Sequence, residues 1–123
     1  MTEESYPKIA EQSETLLIRY KRISAMYKTI LDLASKILYE LETGGSEKLI
    51  IALIEEKSRV ADKIKNETEW INLHPVNPGE IVNSNTIREV KEILSDIKIM
   101  LGEFYEREEK ITLFFKKRRP KGI

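Results

Sequence analysis

With 123 residues, the chain has room for one domain and one modest hydrophobic core. Charged residues make up 34% and hydrophobic residues 41%, a balance typical of long amphipathic helices with solvated outer faces. The chain has no cysteine, which excludes disulfides and thiolate chemistry. No apolar stretch approaches the ~20 residues of a membrane-spanning helix, and the polar N-terminus lacks the pattern of a signal peptide. We therefore expect a cytoplasmic protein.

The charges are unevenly distributed along the chain, although the formal net charge is zero. Five basic residues stand in the last eight positions, and they are Lys116, Lys117, Arg118, Arg119 and Lys121. The other 115 residues carry 16 basic and 21 acidic side chains, a net charge of −5. A nucleic-acid binder would carry its basic groups on a folded face, so this pattern predicts no nucleic-acid partner. We divide the chain into one helical domain, residues 1–115, and a basic tail, residues 116–123.

The first predicted helix covers residues 7–43 and carries a continuous apolar stripe. Its apolar or small residues recur in alternating steps of four and three, the spacing of one helical face. The stripe consists of Leu16, Tyr20, Ile23, Tyr27, Ile30, Ala34, Ile37 and Leu41. Leucines beside the stripe widen it, which predicts contact with two partner helices. Pro7 suits a first helical turn, and Gly44 and Gly45 favour an end to the helix.

The second predicted helix covers residues 46–73, with Ser46 as its N-cap. Its stripe consists of Ile50, Leu53, Lys57, Val60, Ile64, Glu67 and Ile71. The stripe becomes more polar along the helix, so we expect its far end to be less buried. Pro75 predicts the end of the helix, because the residue before a proline is disfavoured in the α conformation.

The third predicted helix covers residues 86–115 and follows a loop of turn-forming residues at 76–85. Thr86 and Glu89 have the spacing of a capping box. The stripe consists of Ile87, Val90, Leu94, Ile97, Leu101, Phe104, Glu108, Ile111 and Phe115, and Ile93, Met100 and Phe114 widen it. Short connections between long helices favour antiparallel neighbours. The sequence therefore predicts an all-α fold, an antiparallel up-down-up bundle of three long, coiled-coil-like helices, with the ends of helices 1 and 3 at one pole.

The residues offer no set suited to catalysis or to metal binding. His74 is the single histidine and stands at a predicted helix end, where a surface or capping role explains it. With one histidine and no cysteine, no nucleophile with an oriented base can be assembled. Gly44, Gly45 and Ser46 precede a helix, where an anion can bind, but they lack the phosphate-loop lysine, and a turn explains them. We expect a non-enzymatic protein without metal or cofactor.

An apolar and aromatic run near the C-terminus is a candidate binding surface. The run Ile111, Thr112, Leu113, Phe114 and Phe115 cannot bury every member, because consecutive positions point around most of the helix circumference. In one interpretation, Ile111 and Phe115 belong to the core and the others are tolerated on the surface. In the other, the run is a sticky surface that binds a partner. The basic tail beyond it is explained by a solvated, frayed terminus.

The first two predicted helices resemble those of a known family. The stretch LYELETGG ends helix 1, and SEKLIIALIEEKSRVADKIKNE opens helix 2. This arrangement resembles the flagellar type III export chaperones of the FlgN and FliT kind, which serve the hook–filament junction proteins and the filament cap. The shared features are a small turn after a long helix, a leucine and isoleucine series, and a mid-helix Glu-Lys pair, here Glu56 and Lys57. The resemblance covers residues 16–69.

The resemblance implies a cytoplasmic chaperone. Such a protein binds the helical end of a secreted flagellar subunit, prevents its premature assembly and hands it to the export apparatus. In this family the partner-binding surface is apolar and lies towards the C-terminal part. By the resemblance, the residues with this role are Leu101, Phe104, Tyr105, Ile111, Phe114 and Phe115.

Other functions stay open on the residues alone. One is a helical structural adaptor. Another is a peripheral protein that touches an anionic membrane through its aromatic and basic C-terminus, a recognised combination at membrane surfaces. A homodimer also stays open.

Lys57 is the basic residue on the second stripe, where an unpaired buried ammonium would be costly. In an antiparallel pair folded at the 75–85 loop, residue 57 lies opposite roughly residue 102, within about two turns. That range contains Glu103 and Glu108, and Glu108 is the acidic residue on the third stripe. We expect Lys57 to be half buried, with its methylenes on the stripe and its amine near Glu103, Glu108 or water. Such a polar pair would hold helix 2 in register against helix 3.

Overall fold

The computed structural model describes the backbone of residues 2–73 and 84–118, and the side chains of residues 15–73 and 85–117. Within these ranges the chain forms three α-helices, which are α1 (Thr2–Glu42), α2 (Glu47–Leu73) and α3 (Ser84–Arg118), and it contains no strand. The predicted all-α fold is confirmed. His74, most of the predicted 76–85 loop and residues 119–123 of the predicted tail lie outside the described residues.

Helices α1 and α2 pack antiparallel. At one end of the pair, Arg19 of α1 contacts Glu67 of α2, and at the other end Leu41 and Ile50 share one buried cluster. The turn between them is made by Gly44, whose φ of 68° is a left-handed conformation that glycine adopts without strain. The Ser46 hydroxyl then accepts a hydrogen bond from the Leu49 N–H at 3.3 Å, so the predicted N-cap is confirmed.

Helix α3 runs parallel to α1 on its other side. Ile23 of α1 shares a buried cluster with Ile97 of α3, and Ile37 further along α1 shares another with Ile111. Close backbone approaches join α1 to both neighbours, whereas α2 and α3 approach each other much less closely. The up-down-up bundle is confirmed, and the wide apolar stripe on α1 contacts two helices as predicted.

The core consists of three clusters that follow one another along α1. At the Gly44 pole the buried residues are Ala34, Ile37, Leu41, Ile50 and Ile111. The middle cluster contains Ile30, Leu33, Val60 and Ile64. The far cluster contains Ile23, Ile97 and Met100. Because α1 contributes to all three, it is the central element of the bundle.

The predicted stripe of α3 is wrong at two of its nine positions, Leu94 and Phe115. Leu94 is 44% exposed and Phe115 is 42% exposed, whereas Ile93, Met100 and Phe114 pack against the buried clusters. The interpretation that places Phe115 in the core is therefore wrong. The physical reason for the difference is the asymmetry of the bundle, since α3 packs mainly against the wide apolar stripe of α1. The predicted stripe of α3 therefore lies closer to the gap between α2 and α3.

The helix ends also differ from the predicted bounds. Helix α1 begins at Thr2, ahead of the predicted start at Pro7, so the proline lies in the second turn. Helix α3 begins at Ser84, which places Thr86 inside the helix and rules out the predicted capping box. It continues to Arg118, so the basic tail begins as helix.

Candidate partner-binding groove

A groove runs between α2 and α3, above α1, because the two outer helices stand apart. We refer to it as the α2–α3 groove. Part of it is a hollow of about 210 Å³. The lining residues are Tyr20, Ile23 and Tyr27 from α1, Thr68, Ile71 and Asn72 from α2, and Leu94 and Ile97 from α3. The surface that it offers is mostly apolar and aromatic.

Tyr105 extends this surface along α3. Burial raises the pKa of the Tyr27 phenol on the groove floor, and the neighbouring Tyr105 phenol raises it further. Tyr105 follows Leu94 by 11 residues, which is about 20° around the helix, so it lies on the side of α3 that carries Leu94. Tyr105 is itself 64% exposed, and its ring meets that of Phe104 at 6.0 Å between centroids. An exposed ring with an apolar body and a polar tip is well suited to contact a partner.

An ion pair crosses the groove one turn beyond Tyr105. The Lys57 ammonium donates a hydrogen bond to the Glu108 carboxylate at 2.5 Å, and these side chains are 17% and 30% exposed. The predicted half-buried lysine and its contact with Glu108 are confirmed. Lys57 of α2 contacts Glu108 of α3, and Ile71 of α2 lines the same hollow as Leu94 of α3. The two pairs are 14 residues apart on each helix. The two walls are thus in regular antiparallel register.

A second hollow, of about 340 Å³, lies at the Gly44 pole, and its surface is a mixture of polar and apolar atoms. Its lining residues are Leu41, Gly45, Glu47, Ile50, Ile51, Ile54 and Phe115. Ile51 and Phe115 are 50% and 42% exposed. The Lys57–Glu108 pair lies between the two hollows along α2.

The predicted partner-binding residues fall into two groups. Tyr105 and Phe115 are exposed at the groove. The other predicted residues, which pack wholly or partly inside the bundle, are Leu101, Phe104, Ile111 and Phe114. Ile111 is only 5% exposed and belongs to the core, so its side chain is not part of the groove surface.

Several groove residues were not predicted from the sequence. Leu94 was placed on the buried stripe of the third helix, and Ile51 was not assigned to any surface. The floor tyrosines, Tyr20 and Tyr27, were placed on the α1 stripe. A signal was present in the sequence, because tyrosine in a stripe of aliphatic residues often marks a position with one end exposed to water.

Within residues 15–73 and 85–117, no group of histidine, cysteine, aspartate and glutamate side chains is arranged to hold a metal ion. No helix in the described part of the chain is long and apolar enough to cross a membrane.

Comparison of the chain with models of known protein families, with characterised proteins and with solved structures finds no match.

Proposed function

We propose that this protein is a non-enzymatic binding protein that holds an amphipathic helix in the α2–α3 groove. We further propose that it acts as a cytoplasmic chaperone for export of a flagellar subunit. The observation that carries the proposal is the groove itself, with the exposed apolar side chains of Leu94 and Tyr105 along one wall. The resemblance of the first two helices to the flagellar export chaperones supports the choice of client.

The dimensions of the groove suit a helix of a few turns. Residues 94–108 of α3 form one wall of the groove. This wall is about 21 Å long, because it covers 14 residue steps of about 1.5 Å each. A partner helix of that length presents apolar side chains at positions i, i+3 or i+4 and i+7, which is the usual pattern for helix-in-groove binding. Such a helix would complete a fourth corner of the bundle and cover side chains that now contact water.

The role of a chaperone follows from what the groove would cover. The terminal helices of filament-associated subunits pack against neighbouring subunits, so they expose apolar stripes before assembly. A groove that covers such a stripe keeps the subunit from associating too early. In this proposal the Lys57–Glu108 pair holds the two walls at a distance that admits the client helix.

The test is direct binding of candidate clients. The synthetic probes are the terminal helices of the filament-cap and hook–filament junction proteins encoded in the same genome. Isothermal titration with the full chain should give one-to-one binding by one of them, with micromolar or tighter affinity. The variant Leu94→Ser/Tyr105→Ser should weaken this binding by about tenfold or more, because two exposed apolar contacts are removed.

Ile99→Ser/Leu113→Ser is the matched control. Ile99 and Leu113 are 60% and 48% exposed on the same helix, and Ile99 lies about 140° around the helix from Leu94. This control should retain binding. Equal losses in the two variants would contradict the groove, and no binding by any flagellar helix would contradict the choice of client.

A second candidate function, binding to an anionic membrane, is favoured by the end of α3. Phe115 is 42% exposed, and the exposed Lys116 and Lys117 follow it on the helix. Sedimentation with vesicles containing phosphatidylserine tests this function. A chain without residues 116–123 keeps the packed Phe114 and is the suitable comparison, since a charge-driven interaction should disappear with the basic residues. The membrane function is favoured if the full chain sediments with the vesicles, the chain without residues 116–123 does not, and no flagellar helix binds the full chain.

A further inference from the structure

A hollow lined by charged side chains and by Met26 and Trp70 lies at the junction of α2 with α1. We refer to it as the α1–α2 hollow. It measures about 340 Å³, and its lining residues are Arg19, Arg22, Met26, Lys63, Asn66, Glu67 and Trp70. None of these residues lines the α2–α3 groove. The function proposed for the groove does not use them.

Glu67 organises the two arginines of this hollow. One carboxylate oxygen accepts a hydrogen bond from Arg19 at 2.8 Å, and the other accepts one from Arg22 at 2.9 Å. Burial opposes the ionised form of Glu67, but the hydrogen bonds and charges of Arg22 and Arg19 outweigh it and lower the pKa of this carboxyl. Glu67 therefore remains ionised and holds both guanidinium groups in place.

Arg19 is further held against an aromatic ring. Its guanidinium carbon lies 3.4 Å from the centroid of the Trp70 ring, which is cation–π contact. Its Nε is buried and has no hydrogen-bond partner within the described part of the chain. Glu67 and Trp70 thus fix Arg19 as part of the wall of the hollow.

The hollow has an excess of positive charge. It is lined by three cationic side chains, Arg19, Arg22 and Lys63, and Glu67 is the one acidic residue among its described lining residues. Glu67 uses both oxygens on the arginines, and no ion pair to Lys63 occurs among the described residues. Arg22 is 54% exposed, and Lys63 is exposed. Two positive charges are thus left to face water from a hollow with an aromatic wall.

We propose that the α1–α2 hollow is a docking site for an acidic polypeptide segment, whose carboxylates pair with Arg22 and Lys63. Both cations can present several donors to a carboxylate. An excess of about two charges suits one or two carboxylates. It is small for a nucleic-acid backbone, which requires a row of cations along a face.

Trp70 gives the experiment a built-in reporter, because it is the only tryptophan of the chain and lines the hollow. The full chain is titrated with synthetic hexaglutamate while the tryptophan fluorescence is recorded. Hexaserine, inorganic phosphate and a short oligothymidylate are titrated in parallel. Hexaglutamate should give a saturable change that weakens as salt is added, and the other three should give no saturation in the same concentration range.

Two single substitutions locate the binding. Arg22→Gln and Lys63→Gln should each weaken hexaglutamate binding by about fivefold, the effect of one exposed charged contact. Lys48→Gln, at an exposed position of α2 that does not line the hollow, is the matched control and should leave the affinity unchanged. If Arg22→Gln disturbs folding through Glu67, Lys63→Gln carries the test alone.

Several results would overturn the proposal. They are the absence of a saturable change with hexaglutamate, an equal loss with Lys48→Gln, and saturation by phosphate or by the oligonucleotide at similar concentrations. None of these outcomes concerns the α2–α3 groove, so this site and the proposed chaperone function stand or fall separately.

Discussion

Replacing Lys57 with methionine tests how the ion pair across the groove contributes to stability. Methionine keeps an unbranched side chain, one heavy atom shorter than that of lysine, and removes the ammonium that contacts Glu108. We expect the free energy of unfolding to stay the same or to rise by up to about 1 kcal/mol. We also expect a less uniquely held α2, because the polar contact that sets its register against α3 is gone.

The magnitude follows from opposing contributions. At 2.5 Å and an effective dielectric constant of about 20, the attraction between the charges is about 6–7 kcal/mol before desolvation is counted. Removing each ion from water costs several kcal/mol, and these costs nearly cancel the attraction. The Glu108 side chain is 30% exposed in the structure. In the Lys57→Met variant, water can therefore hydrate the Glu108 carboxylate in place of the lost ammonium. The methionine gains apolar contact, so the balance tips towards stability.

The two partners of the pair should behave differently. Glu108→Gln leaves an ammonium that is only 17% exposed without its counter-charge, and we expect a loss of about 1–3 kcal/mol. Urea unfolding followed by circular dichroism at neutral pH measures both variants. Lys110→Met is the control, because its pair with Glu106 is more than half exposed at both side chains and its loss should cost under about 0.5 kcal/mol.

The result that would refute this reasoning is a strongly destabilised Lys57→Met. A loss above about 2 kcal/mol, with the Lys110→Met control unchanged, would mean that the attraction exceeds the desolvation cost. The pair would then be a net source of stability. Amide spectra of the variant test the other half of the prediction, since sharp single resonances throughout α2 would mean that its register does not depend on the pair.

Two more predictions follow from burial and from charge. Ile37→Ala should lower the free energy of unfolding by about 2–5 kcal/mol, because Ile37 is fully buried. Leu94→Ala should lower it by less than about 1 kcal/mol, because Leu94 is 44% exposed. Similar losses for the two variants in urea unfolding would contradict the rotation of α3. The pKa of Glu67 is lowered from 4.5 in the fold, so its contribution to stability is fully present above pH 4.5 and is lost as the pH falls through the folded value. The free energy of unfolding, measured below and above pH 4.5, should therefore depend less on pH in Glu67→Gln than in the wild type. The same pH dependence in both proteins would mean that other carboxylates cause the acid sensitivity.

The buried face of α1 could be predicted from the sequence, because the spacing of its apolar residues is unambiguous. Its eight positions alternate in steps of four and three, and in the structure each of them is buried or half-buried. The contact between Lys57 and Glu108 was also within reach, because two polar positions on facing stripes can satisfy each other and few other partners lie within the allowed register.

The groove was harder to predict for a physical reason. Helix α3 carries two adjacent apolar rows, and Leu94 and Ile93 are equally suited to the core by residue type. Which of them turns inward depends on where α1 and α2 stand around α3. Periodicity gives the angle between side chains on one helix, but it contains no information on that placement.

The sequence by itself determined the three helices and their up-down-up order, because local spacing and short connections restrict these features strongly. For Lys57 it left Glu103, Glu108 and water as partners, and the structure selected Glu108. The tertiary structure decided the separation of α2 from α3, the rotation of α3 towards α1 and hence the exposed groove. It also brought Arg19 and Arg22 of α1 to Glu67 and Trp70 of α2. Those features depend on how side chains of distant segments fill the space between helices, and that packing exists only once the whole chain has folded.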